Sequence, residues 1–183
     1  MSKFDQSVEY ILQRESGLVE NPLDPGGITN FGISIRFLKS LSIDQLKKYG
    51  LYFGETINND DIKHLTLDSA KSLYKGEFWD HAPFALINDQ SLCNYIFDTS
   101  INMGISPAIK ALQRAIWAYN KNRNCLKEDG ILSQETINLV NRSNAMSLLS
   151  IMRSERAGDY RVIVAHYPEQ KEFINGWLNR AYE

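Results

Sequence analysis

The chain has 183 residues, of which 43% are hydrophobic and 23% charged, and its formal net charge is −2. These values fit one compact domain, or a domain with a closely packed second lobe, and the near-neutral charge gives no indication of a nucleic-acid partner. No segment has the length and apolar character of a membrane span, and the first residues lack the apolar core of a signal peptide. We therefore expect synthesis in the cytoplasm and no stable insertion into a membrane.

Cysteine and histidine are sparse and scattered. Cys93 and Cys125 form no C-x-x-C motif, so we expect buried free thiols. The histidines at 64, 81 and 166 are isolated, and no H-E-x-x-H pattern joins them. A P-loop, a dinucleotide fingerprint and a G-x-S-x-G elbow are also absent from the sequence. The expectation is a protein with no metal and no cofactor.

The first element is an amphipathic helix that leads to a glutamate. Ser2 and Asp5 form a start similar to a capping box, and the apolar spacing that follows is helical, at Phe4, Val8, Ile11 and Leu12. Glu15 continues this apolar stripe. Burial and the negative end of the helix dipole both favour a protonated carboxyl, which a general acid needs. A solvent-exposed or ion-paired Glu15 in a frayed last turn is the open alternative.

Residues 15–33, ESGLVENPLDPGGITNFGI, form a loop rich in turn-forming residues. Pro25 keeps Asp24 extended, and the glycines that follow let the chain reverse, so Asp24 can face Glu15 across a groove. Two facing carboxyl groups are the usual means of cutting a glycosidic bond. Thr29 is placed to hold a water or a sugar hydroxyl. An Asx turn at Asp24 and an ordinary strand position at Thr29 are the structural alternatives.

The remainder of the chain reads as helices. Capping residues indicate their starts, namely Ser42, Thr66, Ser106 with Pro107, Ser133, Asn144 and Pro168. A buried pattern over 92–103 predicts a central helix closed by Gly104. Little of the chain alternates with period two, apart from a short strand near 28–33. The predicted fold class is mainly α with two closely packed lobes, residues 1–92 and 93–183, and at most a small β-hairpin near residues 20–33.

Three further residues are candidates for substrate binding. Trp79 follows the helix that contains Tyr74, and it fits the core or a cleft wall, with stacking on a sugar as the alternative. Asn102 can hydrogen-bond a substrate acetamide or, equally, brace the backbone.

Several of these segments together resemble one enzyme family. The loop at 15–33 is similar to the E-G-G-x-x-N-D-P-x-D-x-G-G-x-T-x-x-G-I signature of glycoside hydrolase family 108, the N-acetylmuramidases that include phage endolysins and secretion-activator proteins. Further similar segments follow in the family's order: KSLY with FW at 71–79, FDTSINMG at 97–104, DGILSQET at 129–136, YR at 160–161 and GWLNR at 176–180. Ser16, Leu18 and Glu20 with Asn21 depart from the signature, and Leu18 replaces an aromatic residue that suits a sugar ring.

The resemblance implies a lysozyme-like helical fold in which Glu15 is the catalytic acid and Asp24 and Thr29 take the places of the motif's aspartate and threonine. It also implies a catalytic lobe at 1–92 and a peptidoglycan-binding lobe at 93–183. The activity implied is hydrolysis of the β-1,4 bond between N-acetylmuramic acid and N-acetylglucosamine. A lytic transglycosylase acting on the same bond, and a non-catalytic peptidoglycan-binding protein that assists secretion, are the alternatives.

The expected partner is the glycan strand of peptidoglycan, met by a monomer in the periplasm or cell wall. Because the expected site of synthesis is the cytoplasm, a holin or a secretion system would have to release the protein. The biological purpose would be either cell lysis or the passage of a secreted protein through the wall.

Overall fold

The computed structural model describes residues 1–14, 17–20, 27–54 and 56–183. The chain divides into two compact units, residues 1–81 and residues 82–183. Helices dominate both units, which confirms the mainly α fold class. None of the helices in the described ranges is long and apolar enough to cross a membrane.

The first unit consists of short helices and a small sheet. Its elements are α1 (Lys3–Arg14), β1 (Leu18–Val19), β2 (Thr29–Asn30), β3 (Ile33–Ser34), α2 (Ile35–Ser40), α3 (Ile43–Lys48), α4 (Asn59–Lys63), α5 (Leu67–Glu77) and a 3-10 turn, Trp79–His81. Three predicted helix starts are confirmed. Ser2 and Asp5 exchange hydrogen bonds, Ser42 forms a full capping box with Gln45, and Thr66 caps α5.

The sheet is antiparallel, with the order β1-β2-β3. The predicted hairpin near residues 20–33 corresponds to β2 and β3, while β1 is an additional strand that the sequence did not reveal. Both residues of β1 are exposed, so no alternation of polar and apolar residues marks it. Its pairing with β2 makes β2 the central strand of a three-stranded sheet.

The core of the first unit joins α1 to the helices that follow the sheet. Val8 and Ile11 are buried, as the helical spacing predicts. They belong to a larger buried set, which includes Leu38, Leu46, Ile62, Leu73 and Tyr74. Burying a side chain of this size contributes about 1.5–3 kcal/mol, so the short helices depend on this shared interior more than on their own propensity.

The second unit is a bundle of longer helices. Its elements are a 3-10 turn (Phe84–Leu86), α6 (Gln90–Met103), α7 (Ile105–Asn120), a second turn (Arg123–Cys125), α8 (Gln134–Arg142), α9 (Ala145–His166), a 3-10 helix (Pro168–Phe173) and α10 (Ile174–Tyr182). The expected lobe boundary at 92–93 lies within α6. Ser133 and Asn144 cap α8 and α9 as predicted. Both cysteines are free, Cys93 buried and Cys125 half-buried.

Two predicted helix starts in this unit are wrong in detail. Gly104, with a φ of 90°, ends α6 and immediately precedes α7, so Ser106 lies in the first turn of α7 and is not its N-cap. There Ser106 packs against Gly130, where a Cβ would overlap it. Pro168 begins a 3-10 helix, and the final α-helix starts only at Ile174.

A buried ion network connects three helices of the second unit. Asp98 on α6 accepts hydrogen bonds from Arg156 on α9 and Arg180 on α10, each at 2.7 Å. Asp98 is 2% exposed and Arg156 is 0% exposed. Burial alone would raise the pKa of Asp98, but the two guanidinium groups outweigh it and hold that pKa below its usual range. Arg156 therefore has a charged partner inside the bundle.

Candidate functional site

The structure describes one of the three predicted catalytic residues. Thr29 begins β2 and is half-buried, between Val19 of β1 and Ser34 of β3. Among the described residues its hydroxyl has no hydrogen-bond partner. Glu15 and Asp24 lie outside the described residues, so their catalytic roles stay predictions.

Two side-chain hydrogen bonds anchor the β2–β3 hairpin to the helices of the first unit. The Nδ2 of Asn30, a residue only 7% exposed, donates to the carbonyl of Ile62 on α4 at 3.0 Å. The hydroxyl of Tyr74 on α5 donates to the carbonyl of Phe31 at 2.9 Å. Since Asn30 and Phe31 directly follow Thr29, these bonds fix the backbone that carries the Thr29 hydroxyl.

The turn of this hairpin has an unusual composition. Its two loop residues, Phe31 and Gly32, have φ values of 51° and 75°. A two-residue hairpin turn needs positive φ at both positions, which normally selects Asn-Gly or Asp-Gly. Phenylalanine in the left-handed region costs roughly 1–2 kcal/mol. The Tyr74 hydrogen bond to the Phe31 carbonyl offsets part of this cost, so helix α5 supports the turn conformation.

Tyr74 and Trp79, both predicted substrate contacts, lie in the core of the first unit. Tyr74 is fully buried and its hydroxyl is bound to the hairpin. Trp79 is 8% exposed and packs edge-to-face on Phe4 with 5.5 Å between ring centroids. The core position considered for Trp79 is therefore the one observed. Substrate contact by either residue stays a prediction, and it would require their rings to become uncovered.

Asn102, the third predicted substrate contact, lies at the end of α6 in the second unit. Its Nδ2 donates to the backbone carbonyl of Asp98 at 2.8 Å, which is the bracing role considered as an alternative. It also lines a cavity together with residues that the sequence did not single out, among them Lys110 and Asp159. Met103, Tyr160 and Trp177, which also line the cavity, belong to segments that resemble the family.

The model of glycosyl hydrolase 108 matches residues 8–104, more than half of the chain. The chain belongs to the glycosyl hydrolase 108 family. A second model, described as a predicted peptidoglycan domain, matches residues 107–182. The first match ends at Gly104, between α6 and α7, and the second begins in the first turn of α7.

A solved structure has a fold similar to that of this chain. It is SagA of Brucella abortus, 20% identical, with a TM-score of 0.65 over 97% of this chain and 92% of SagA. No curated protein matches the chain. As a member of the glycosyl hydrolase 108 family with a peptidoglycan domain, the protein is a glycoside hydrolase whose partner is peptidoglycan.

Proposed function

We propose that the protein is an N-acetylmuramidase that hydrolyses the β-1,4 bond between N-acetylmuramic acid and N-acetylglucosamine in peptidoglycan. The observation that carries the proposal is the family match across residues 8–104, which includes Glu15, Asp24 and Thr29. Thr29 lies on a hairpin that side-chain hydrogen bonds hold to α4 and α5. A polar group on a backbone held by hydrogen bonds, in the same stretch of sequence as two carboxyl-bearing residues, suits the cleavage of a glycosidic bond.

In this mechanism the three residues have different tasks. Glu15 protonates the glycosidic oxygen as the bond breaks, and Asp24 stabilises the positive charge on the sugar or activates the attacking water. The Thr29 hydroxyl can donate one hydrogen bond and accept others, so it can orient that water. No metal or cofactor is needed for these steps.

We also propose where the protein acts. The protein would act as a monomer in the periplasm or cell wall, after synthesis in the cytoplasm and release by a holin or a secretion system. Its action would serve cell lysis or the passage of a secreted protein through the wall. The peptidoglycan domain at 107–182 supports a wall substrate in either case.

Clearing of purified sacculi tests the proposal. We expect the full-length protein to lower the turbidity of a sacculus suspension and to release soluble muropeptides. A protein that only binds peptidoglycan would sediment with the sacculi and leave the turbidity unchanged, and that result would refute the hydrolase assignment.

The anchor at Tyr74 leads to a prediction about activity. In Tyr74→Phe, the carbonyl of the half-buried Phe31 loses its donor, so we expect a loss of about 1 kcal/mol in the free energy of unfolding. Because the turn next to Thr29 also loosens, we expect the rate of sacculus clearing per folded molecule to fall several-fold, on the order of the tenfold effect of 1.4 kcal/mol in a barrier.

Tyr49→Phe is the matched control for this variant. It removes a comparable hydroxyl, which donates to Glu77 at 2.6 Å on a different part of the first unit. We expect a similar loss of stability but an unchanged clearing rate. Equal clearing rates in the two variants would show that the Tyr74 hydroxyl does not position the hairpin for activity.

A further inference from the structure

A cavity of about 590 Å³ lies in the second unit, with walls from α6, α7, α9, α10 and the 3-10 helix that precedes α10. Met103, Ile163 and Trp177 form an apolar wall, and Lys110 and Gln170 add polar groups. Sites for small molecules and peptide fragments have similar volumes, with a mostly apolar lining and a few polar groups that fix orientation.

Lys110 is the cation of this cavity that is available to a ligand. It has no hydrogen-bond or ion-pair partner within the described part of the chain. Arg114, one helical turn later on α7, is fully engaged by three carboxylates: Glu155 at 2.7 Å, Glu128 at 2.9 Å and Asp159 at 2.7 Å. An incoming carboxylate would therefore find its partner at Lys110 and not at Arg114.

The surroundings of Arg114 carry an excess of negative charge. Three carboxylates surround the single guanidinium of Arg114, and one of them, Asp159, lines the cavity. Burial raises the pKa of Asp159; Arg114 opposes this effect, while Glu155 and Glu128 add to it. A purely anionic ligand would be repelled by this group of acids. A ligand with an ammonium beside its carboxylate satisfies both Lys110 and Asp159.

The aromatic residues argue against a sugar ring as the occupant. Trp177 stacks on Tyr160, with ring centroids 5.3 Å apart, and on Phe173, with centroids 5.9 Å apart. The protein's own rings thus take up the stacking surface that a sugar would use. The part of Trp177 that lines the cavity, with Met103, suits the methylene groups of a side chain.

We propose that this cavity binds the diamino acid of the peptidoglycan stem peptide, at the end where an ammonium and a carboxylate share one carbon, as in meso-diaminopimelate. The carboxylate pairs with Lys110, the ammonium lies towards Asp159, and the methylene chain packs on Met103 and Trp177. The inference rests on the proposed function in that the ligand is part of the same polymer. It adds the stem peptide as a second point of recognition besides the glycan.

Two soluble tripeptides differ in the carboxylate that we expect to pair with Lys110. One contains meso-diaminopimelate at its third position and the other L-lysine, which lacks the terminal carboxylate. We expect isothermal titration of the full chain to show about tenfold tighter binding of the diaminopimelate peptide, the effect of one charge-assisted hydrogen bond. Equal dissociation constants for the two peptides would overturn the proposal.

Variants of Lys110 test whether the preference for the diaminopimelate peptide arises at this cavity. In Lys110→Ala, and in Lys110→Gln as a second variant, the two dissociation constants should converge. Lys127→Ala, an exposed lysine of the same unit outside the cavity lining, should keep the tenfold preference. A preference that persists in both Lys110 variants would overturn the proposal. In the unmodified protein, the diaminopimelate peptide should shift the indole NMR signal of Trp177, and shifts confined to other regions would contradict the assignment.

The readout is independent of glycan cleavage, because neither tripeptide contains a glycosidic bond. A protein that clears sacculi but does not distinguish the peptides would refute this inference alone. A protein that distinguishes the peptides but clears nothing would refute the proposed hydrolase function alone.

Discussion

Replacing Glu15 with glutamine is expected to reduce the clearing of sacculi by roughly 10²- to 10⁴-fold, the usual contribution of a general acid. The amide has nearly the same shape as the carboxyl group but cannot deliver a proton to the glycosidic oxygen. Binding to sacculi should persist, because the peptidoglycan domain at 107–182 is unchanged. Turbidity and co-sedimentation, measured on the same preparation, separate the two effects.

Glu20→Gln is the matched control, with the same chemical change five residues further along the loop. Glu20 is exposed and pairs with Lys63 at 2.9 Å, where both side chains are solvent-accessible. Such surface pairs contribute little to stability, so this variant should clear sacculi at the wild-type rate. If Glu15→Gln retained clearing close to that of Glu20→Gln, Glu15 would not be the proton donor.

The largest expected effect on stability concerns Asp98. In Asp98→Asn the buried guanidinium of Arg156 loses its negative partner, and leaving one member of a buried ion pair uncompensated costs about 3–5 kcal/mol. Asp89→Asn on the same helix is the control, because Asp89 is the exposed N-cap of α6 and asparagine caps equally well. Urea unfolding of the two variants measures the difference. Free energies of unfolding within 1 kcal/mol of each other would contradict a stabilising role for the ion network.

The difference in stability between the wild type and Asp98→Asn has a defined pH dependence. Since the folded-state pKa of Asp98 lies below the unfolded value of 3.8, its contribution is fully present above that pH. As the pH falls through the folded-state pKa, Asp98 becomes protonated and its contribution is lost. The stability difference between wild type and Asp98→Asn should therefore be constant near neutral pH and shrink in acid.

Local signals in the sequence were enough to predict most helix starts. The caps at Ser42, Thr66, Ser133 and Asn144 depend on residues within one turn, and the structure contains each of them. The predicted helix start at Ser106 is wrong, also for a local reason. Gly104 adopts a positive φ that lets one helix follow another without a linker, and this conformation cannot be read from a Ser-Pro pair.

The contacts that hold the hairpin of the first unit and the ion network of the second unit could not be predicted, because they join residues far apart in the chain. Asn30 bonds a carbonyl 32 residues away, Tyr74 bonds one 43 residues away, and Arg156 pairs with a carboxylate 58 residues away. Spacing shows which face of a helix is inward, but not what lies opposite. The bond from the Tyr74 hydroxyl to the hairpin is likewise not visible in the spacing, and the substrate contact proposed for Tyr74 stays a prediction.

The most direct test of the central claim is mass spectrometry of the fragments that the wild-type protein releases from purified sacculi. Muramidase activity predicts muropeptides that end in reducing N-acetylmuramic acid, each one water heavier than the corresponding anhydro product. Fragments ending in anhydro-N-acetylmuramic acid would identify a lytic transglycosylase, and fragments ending in N-acetylglucosamine would identify cleavage of the other glycosidic bond. The first result would contradict the mechanism proposed for Glu15, Asp24 and Thr29, and the second would contradict the bond that we assign to it.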